Sequence, residues 1–411
     1  MVLNYIWIAL FVISFVIALV KLIFLGDVTV FPLINAGIYE FAANAVKLAF
    51  GLVGALTLWL GLARIAEKSG MINILAKLIS PLFTKIFPEI PKNHPVSGQI
   101  MMNFSANMLG LDNASTPLGL KAMKDLQELN PDKEKASNAQ IMFLTLNASG
   151  LTIVPVSIMA VRASSGAANP ADVFLPILLA TACSTLAGLA AVSIFQKMKL
   201  AYYLIPFTIA LIIGALFLSD SVKEINPVIL NVWSSNISAV LLLSIMVLFI
   251  LYGFAKKINV YETFIEGAKE GFETSIKIIP YVVGMLVAVS LFKNCGAMNV
   301  MMDGLRSLVV AMGWNADFIE ALPTALMKPL SGSGSRAMMI QTFGPNFINV
   351  DSFSGRLASV FQGSSETTFY ILTVYFGYVG VKNSRYALTT CLIADFAGVI
   401  AAIFISYLFF H

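Results

Sequence analysis

Histidine, cysteine and charge are all scarce in this chain. Its 411 residues hold only two histidines, His94 and His411. That argues against a histidine-built metal centre and against a Ser-His-Asp triad. The three cysteines, Cys183, Cys295 and Cys391, are scattered through apolar sequence and suggest neither a disulfide framework nor a metal site. No Walker motif, dinucleotide fingerprint or basic run is present. ATP-driven pumping by this chain alone and nucleic-acid binding are therefore not expected, and no residue pattern points to an enzyme. Charged residues make up 12% of the chain, too few to solvate the surface of a soluble protein of this size.

What fills the chain instead is apolar: 58% of residues are hydrophobic, and the mean hydropathy is +0.85. A soluble core does not absorb that excess, so the composition reads as an all-α polytopic membrane protein. A bilayer-spanning helix needs about 20 apolar residues. Full-length candidates are 4–24, 46–66, 138–162, 173–196, 200–218, 228–254, 275–293, 353–380 and 384–409. Segment 4–24 reads as a retained helix, because it lacks a positive leading region and a small-residue cleavage site. Segments 68–86 and 298–313 are amphipathic and fit helices lying along the membrane surface.

The two halves are interrupted at matching places. Gly110 to Pro117 and then Asn147-Ala-Ser-Gly150 break apolar sequence in the first half. Ser331-Gly-Ser-Gly-Ser-Arg336 and Gln362-Gly-Ser-Ser-Glu-Thr-Thr368 do so in the second. Short echoes accompany them: Lys121-Ala-Met123 with Arg336-Ala-Met338, and Thr145-Leu-Asn-Ala-Ser149 with Val360-Phe-Gln-Gly-Ser364, each pair 215 residues apart. Segments 98–128 and 318–348 each hold two short apolar pieces around a polar tip and read as re-entrant helical hairpins. Lys and Arg concentrate in loops that fall on one side if there are nine spans, with only Arg162, Lys223 and Arg306 in loops on the other, which places the N-terminus in the cytoplasm. The hairpins then open to opposite sides, as in an inverted-topology repeat with two discontinuous transmembrane helices. Paired interruptions of this kind point to a transporter's binding site.

The breaks supply the candidate site residues. Free backbone groups at a midplane break need partners, and bound ions or solutes can supply them. Asn113, Ser115, Asn147 and Ser149 offer neutral oxygens suited to Na⁺. Asp112, Thr116, Ser331, Ser333, Ser335, Gln362, Ser364, Ser365 and Glu366 are the candidate substrate contacts. Glu366 stands out, because an ionisable group inside a span costs about 2.5–3.5 kcal/mol to insert and is functional by default. The plainer roles are helix capping for Asp112, Asn113 and Ser115, a flexible hinge for the Gly-Ser run, and pairing of Glu366 with Arg336 or Lys328. No resident metal or cofactor is expected beyond Na⁺.

Asn113-Ala-Ser-Thr-Pro-Leu-Gly-Leu-Lys-Ala-Met123 resembles the signature of spore maturation protein A. Ser331-Gly-Ser-Gly-Ser-Arg-Ala-Met-Met339 and Gly355 to Tyr370 resemble spore maturation protein B. The resemblance implies a fusion: an A-like gate repeat over 1–200, a connecting helix and loop over 201–227, and a B-like gate repeat over 228–411. Both belong to the nucleoside-recognition gate group, which is similar to concentrative nucleoside transporters and to ferrous-iron transporter B. It implies a secondary transporter of a small polar or anionic solute in the bacterial plasma membrane, coupled to Na⁺ or H⁺. Its expected partners are that solute, membrane lipid and further copies of the chain. A non-transporting scaffold in envelope or spore maturation and a ferrous-iron permease are the alternatives.

Overall fold

A computed structural model describes residues 2–71, 74, 83, 85–91, 94–110, 112–198 and 227–411. Segment 200–218, residues 201–226 of the connection and most of 68–86 lie outside the described residues. In chain order the helices are α1 (Val2–Leu25), α2 (Val30–Lys68), α3 (Pro95–Met108), α4 (Asp112–Leu129), α5 (Asn138–Ser149), α6 (Val156–Ser164), α7 (Phe174–Phe195) and α8 (Pro227–Ala255). They continue as α9 (Val260–Asn294), α10 (Ala297–Ala311), α11 (Leu322–Met327), α12 (Gly332–Thr342), α13 (Phe353–Gly363), α14 (Thr368–Val379) and α15 (Ala387–Phe410). No strand occurs among the described residues; Lys135 and Asn383 form an isolated bridge. Trp7–Leu25, Phe174–Phe195 and Ala387–Phe410 are long and apolar enough to cross a bilayer. The protein is an all-α membrane protein.

The longest pair, α2 and α9, runs antiparallel. Both exceed their apolar segments, 46–66 and 275–293: α2 begins at Val30 and α9 at Val260. Hydropathy under-reads these extensions because Asn35, Glu40, Glu262, Glu266 and Lys269 dilute them. Contact along the pair decides their length. A Cβ on Gly271 would stand 2.7 Å from the Leu56 carbonyl oxygen. Gly267 meets Leu60 and Arg64 one helical turn away. Glycines four residues apart let two backbones approach closely, the usual device of helix pairing in membranes. Asn294 donates to the Leu33 carbonyl (3.3 Å) at one end, and Lys68 pairs with Glu266 (2.5 Å) at the other.

Contacts between loops sort the molecule into two ends. One end holds Lys382 with Glu134 (2.7 Å) and the Asn383 carbonyl accepting from the Ala136 amide (2.9 Å). The Asp132 carboxyl in the same loop is held below its ordinary value by its hydrogen bond to Lys135. At the opposite end, His411 meets Asp317 (2.9 Å) and Tyr407 donates to Asn315 (3.0 Å). There Arg162, counted from sequence as a loop charge, is instead fully buried. It bridges Asp172 (3.0 Å) and Asp351 (2.9 Å), and Arg356 closes the network on Asp172 (2.6 Å).

Helices α3 and α4 form one hairpin: Asn103 donates to the Ser115 carbonyl (2.7 Å) and Gln99 to Asp125 (2.6 Å). Its base joins the first end, where Gln127 donates to the Lys133 carbonyl (2.8 Å). Helices α11 and α12 form the other hairpin, tied by Ser335 donating to the Thr324 carbonyl (2.7 Å). Its base lies beside the Asp317–Ala321 turn, at the opposite end.

Candidate functional site

Each break is written into local sequence. Ser137 and Gln140 make a reciprocal capping box that starts α5. Gly150 ends that helix in the left-handed region (φ 55°), which favours glycine. Ser352 accepts from the Gly355 amide (3.1 Å) to start α13, which ends at Gly363, leaving Ser364 to Thr367 between α13 and α14. Ser331 accepts from the Gly334 amide (3.0 Å) to start α12 at the second hairpin tip.

The four interruptions meet. The Ile153 amide, in the first break, donates to the Met108 carbonyl (2.7 Å) beside the first hairpin tip. The Phe369 amide, at the second break, donates to the Pro329 carbonyl (3.0 Å) at the second tip. The breaks then join each other through the Glu366 amide and the Ala148 carbonyl (2.8 Å). Gly150 makes room for this: a Cβ there would stand 2.9 Å from Glu366 Cγ.

The long apolar helices α7 and α15 cross beside this junction, with Ser184 donating to the Ala394 carbonyl (2.9 Å). Their glycine contacts are reciprocal. A Cβ on Gly188 would meet Ala394 (3.1 Å) and Ser149 (3.9 Å); one on Gly398 would meet Ser184 (3.1 Å) and the Ser364 carbonyl (2.9 Å). Thr185 and Asp395, the next residues along, therefore occupy corresponding places.

Of the candidates, Ser115, Asn147, Ser149, Ser331, Ser335, Gln362, Ser364 and Ser365 are buried, Thr116 and Ser333 are half-buried, and Glu366 is exposed. The side chains of Asp112 and Asn113 lie outside the described residues. Several hydroxyls serve the helices themselves: Ser149 donates to Leu146 (3.0 Å), Ser364 to Phe361 (3.0 Å) and Ser335 across its hairpin. Asn147 accepts from Asn107 (3.0 Å) and donates to the Phe143 carbonyl (2.9 Å). Gln362 donates to the Gly332 carbonyl (3.3 Å), while its own side-chain oxygen is buried without a hydrogen-bond partner.

Other residues complete the site. A cavity of about 430 Å³ lies between α3, α5 and α7; its lining includes Phe83, Phe87, Phe104 and Phe143 together with Asn103, Asn147 and Thr185. Asn103 Oδ1 and Thr185 Oγ1 are buried without hydrogen-bond partners. On the other side Asp395 is buried in α15; one carboxylate oxygen accepts from Thr368 (2.7 Å) and the other meets no donor within hydrogen-bond geometry. Lys328, Glu366 and the Ser365 hydroxyl are its electrostatic neighbours. The rule that singles out Glu366, an ionisable group within an apolar span, selects Asp395 too; its uniformly apolar flanks hid it. Asn103 and Thr185 carry no comparable signal.

A family of nucleoside-recognition gate domains matches residues 49–165. Spore maturation protein B of Bacillus subtilis (strain 168) is 49% identical over 164 residues, covering 39% of this chain and 88% of that protein. The chain belongs to the spore maturation protein family. Spore maturation protein A of the same organism is 40% identical over 181 residues, covering 44% of this chain and 89% of that protein. Each of these two separate Bacillus proteins is thus matched over most of its own length. No solved structure matches this chain.

Proposed function

We infer that this spore maturation family member is a secondary active transporter of a small polar or anionic solute, working by alternating access at the junction of the four interruptions. The observation that carries this reading is their convergence through the Ile153–Met108, Phe369–Pro329 and Glu366–Ala148 hydrogen bonds. Polar backbone gathered beside apolar helices is tolerated where it lines a cavity or binds something. Two re-entrant hairpins in an inverted repeat are supported by hairpin bases at opposite ends and by the exchanged glycine contacts of α7 and α15. The paired α2 and α9 fit a scaffold against which the four-break unit moves. The setting is the bacterial inner membrane, with the Lys382–Glu134 end cytoplasmic together with the N-terminus, in line with the loop charges.

The test is thermal stability of the purified protein in Na⁺ or choline with nucleosides, dipicolinate and small carboxylates. A ligand that binds only the folded state stabilises by about 2.7 kcal/mol at a hundredfold excess over Kd. A shift with one solute class, lost in Glu366→Gln and Asn147→Ala while both remain folded, is the expected result. Equal shifts in both variants would remove the site from this junction, and silent variants alongside an unresponsive wild type would favour the scaffold role.

A further inference from the structure

The buried carboxylate of Asp395 is not accounted for by capping, by packing or by an ion pair of ordinary surface kind. It sits 3% exposed inside a helix apolar enough to span a bilayer. Burying a carboxylate is costly unless it is neutralised, paired or fully hydrogen-bonded. Here one oxygen accepts from Thr368 at 2.7 Å and the other lacks a donor in hydrogen-bond geometry, though the Ser365 hydroxyl lies beside the carboxylate. Its close polar partners are thus two neutral hydroxyls, fewer than a buried carboxylate needs to be fully satisfied.

Its surroundings decide what it binds. Lys328 faces it from the second hairpin tip, which the Pro329–Phe369 hydrogen bond fixes beside Thr368. Glu366 faces it from the second break and Cys391 from one turn earlier on α15. From α7 the nearest level is Ser184 and Thr185, which are neutral. A metal cation at Asp395 would meet the Lys328 ammonium in a poorly screened setting, where like charges repel strongly. A proton needs no coordination shell and can move on and off the buried Asp395 carboxylate without meeting that repulsion.

We propose that Asp395 is the proton-exchanging carboxylate of the second break, and that H⁺ is the coupling ion of the transport reading above, on which that role rests. Protonation removes the carboxylate charge opposing Lys328. Deprotonation restores it and draws the hairpin tip towards α15. Atoms and charge balance simply: one proton enters from one side of the membrane onto Asp395 Oδ and leaves from the same atom to the other.

Infrared difference spectroscopy of the protein in lipid nanodiscs, titrated from pH 5 to 9 without added solute, tests this. A protonated-carboxyl band that disappears with rising pH is expected in wild type and in Glu366→Gln, and is lost in Asp395→Asn. Thr368→Val, which removes the donor to the carboxylate, should move the midpoint to higher pH and covers the case in which Asp395→Asn does not fold. A band unchanged in Asp395→Asn, or an unmoved midpoint in Thr368→Val, overturns the proposal. So does a band abolished at fixed pH by replacing choline with Na⁺, which would make the carboxylate a Na⁺ ligand. Failure of the transport reading is a separate result: the band would persist in a protein that takes up no solute.

Discussion

Around the first break the polar groups are amides and hydroxyls: Asn103, Asn107, Asn147 and Thr185, beside a cavity whose lining includes phenylalanines. Around the second, Lys328, Glu366 and Asp395 bring charge to corresponding backbone geometry. The exchanged contacts of Gly188 and Gly398 put Thr185 and Asp395 at the same level of crossing helices. One backbone plan thus carries two chemistries. A neutral, apolar-walled site favours uncharged groups; a site with a lysine and two carboxylates favours charge exchange. The proposed division of labour, solute contact shared by both breaks and ion exchange on the second, follows from that difference.

Exchanging the two residues at that level is the most direct way to break the comparison. Asp395→Thr removes a buried carboxylate charge that faces Lys328, and taking one charge out of a buried charged set costs about 3–5 kcal/mol. Reversible unfolding in mixed micelles should register a loss of that size, with partial recovery in Asp395→Thr/Lys328→Met. A loss below about 1 kcal/mol would mean that Lys328 is neutralised elsewhere and that the two sites differ less than their composition suggests.

The reverse exchange, Thr185→Asp, places a carboxylate among the amides and phenylalanines of the first cavity. The expected loss is about 2.5–3.5 kcal/mol, the cost of an unpaired charge near the bilayer centre. The same unfolding assay reads it. An equal cost for both exchanges would sharpen the view that charge placement, not backbone shape, separates the halves; a silent Thr185→Asp would show water already reaching the first break.

How much of this was legible in the sequence follows from where each signal lives. The breaks were readable because glycine, serine and asparagine clustered inside an apolar segment weaken a span unless they end a helix or meet a ligand. Ser137, Ser352 and Ser331 duly cap the helices that flank the breaks. The reach of α2 and α9 was not readable: Glu40 and Lys269 lower the hydropathy, whereas the Gly267 and Gly271 contacts that hold the pair depend on a partner more than 200 residues away in sequence. Arg162 looked like a loop charge because its partners, Asp172 and Asp351, are distant or across a turn. Asn103 and Thr185 become candidates only once folding brings their buried oxygens to one cavity.

The smallest effect isolates what the first cavity holds. Thr185→Val preserves shape and removes a hydroxyl that is buried without a hydrogen-bond partner. Leaving a buried polar group unsatisfied costs about 1–3 kcal/mol, so its removal should be neutral or stabilise by up to about 1 kcal/mol. Thermal unfolding without solute checks the sign. Measured again with a solute that stabilises wild type, the same variant should lose part of the ligand-dependent shift if that hydroxyl reaches the bound molecule. A stabilised variant with an undiminished shift would assign Thr185 to the helix crossing alone and confine recognition to the break residues. A variant destabilised without solute would mean that the hydroxyl already has a partner, such as ordered water, and the first site would then be more polar than its protein walls suggest.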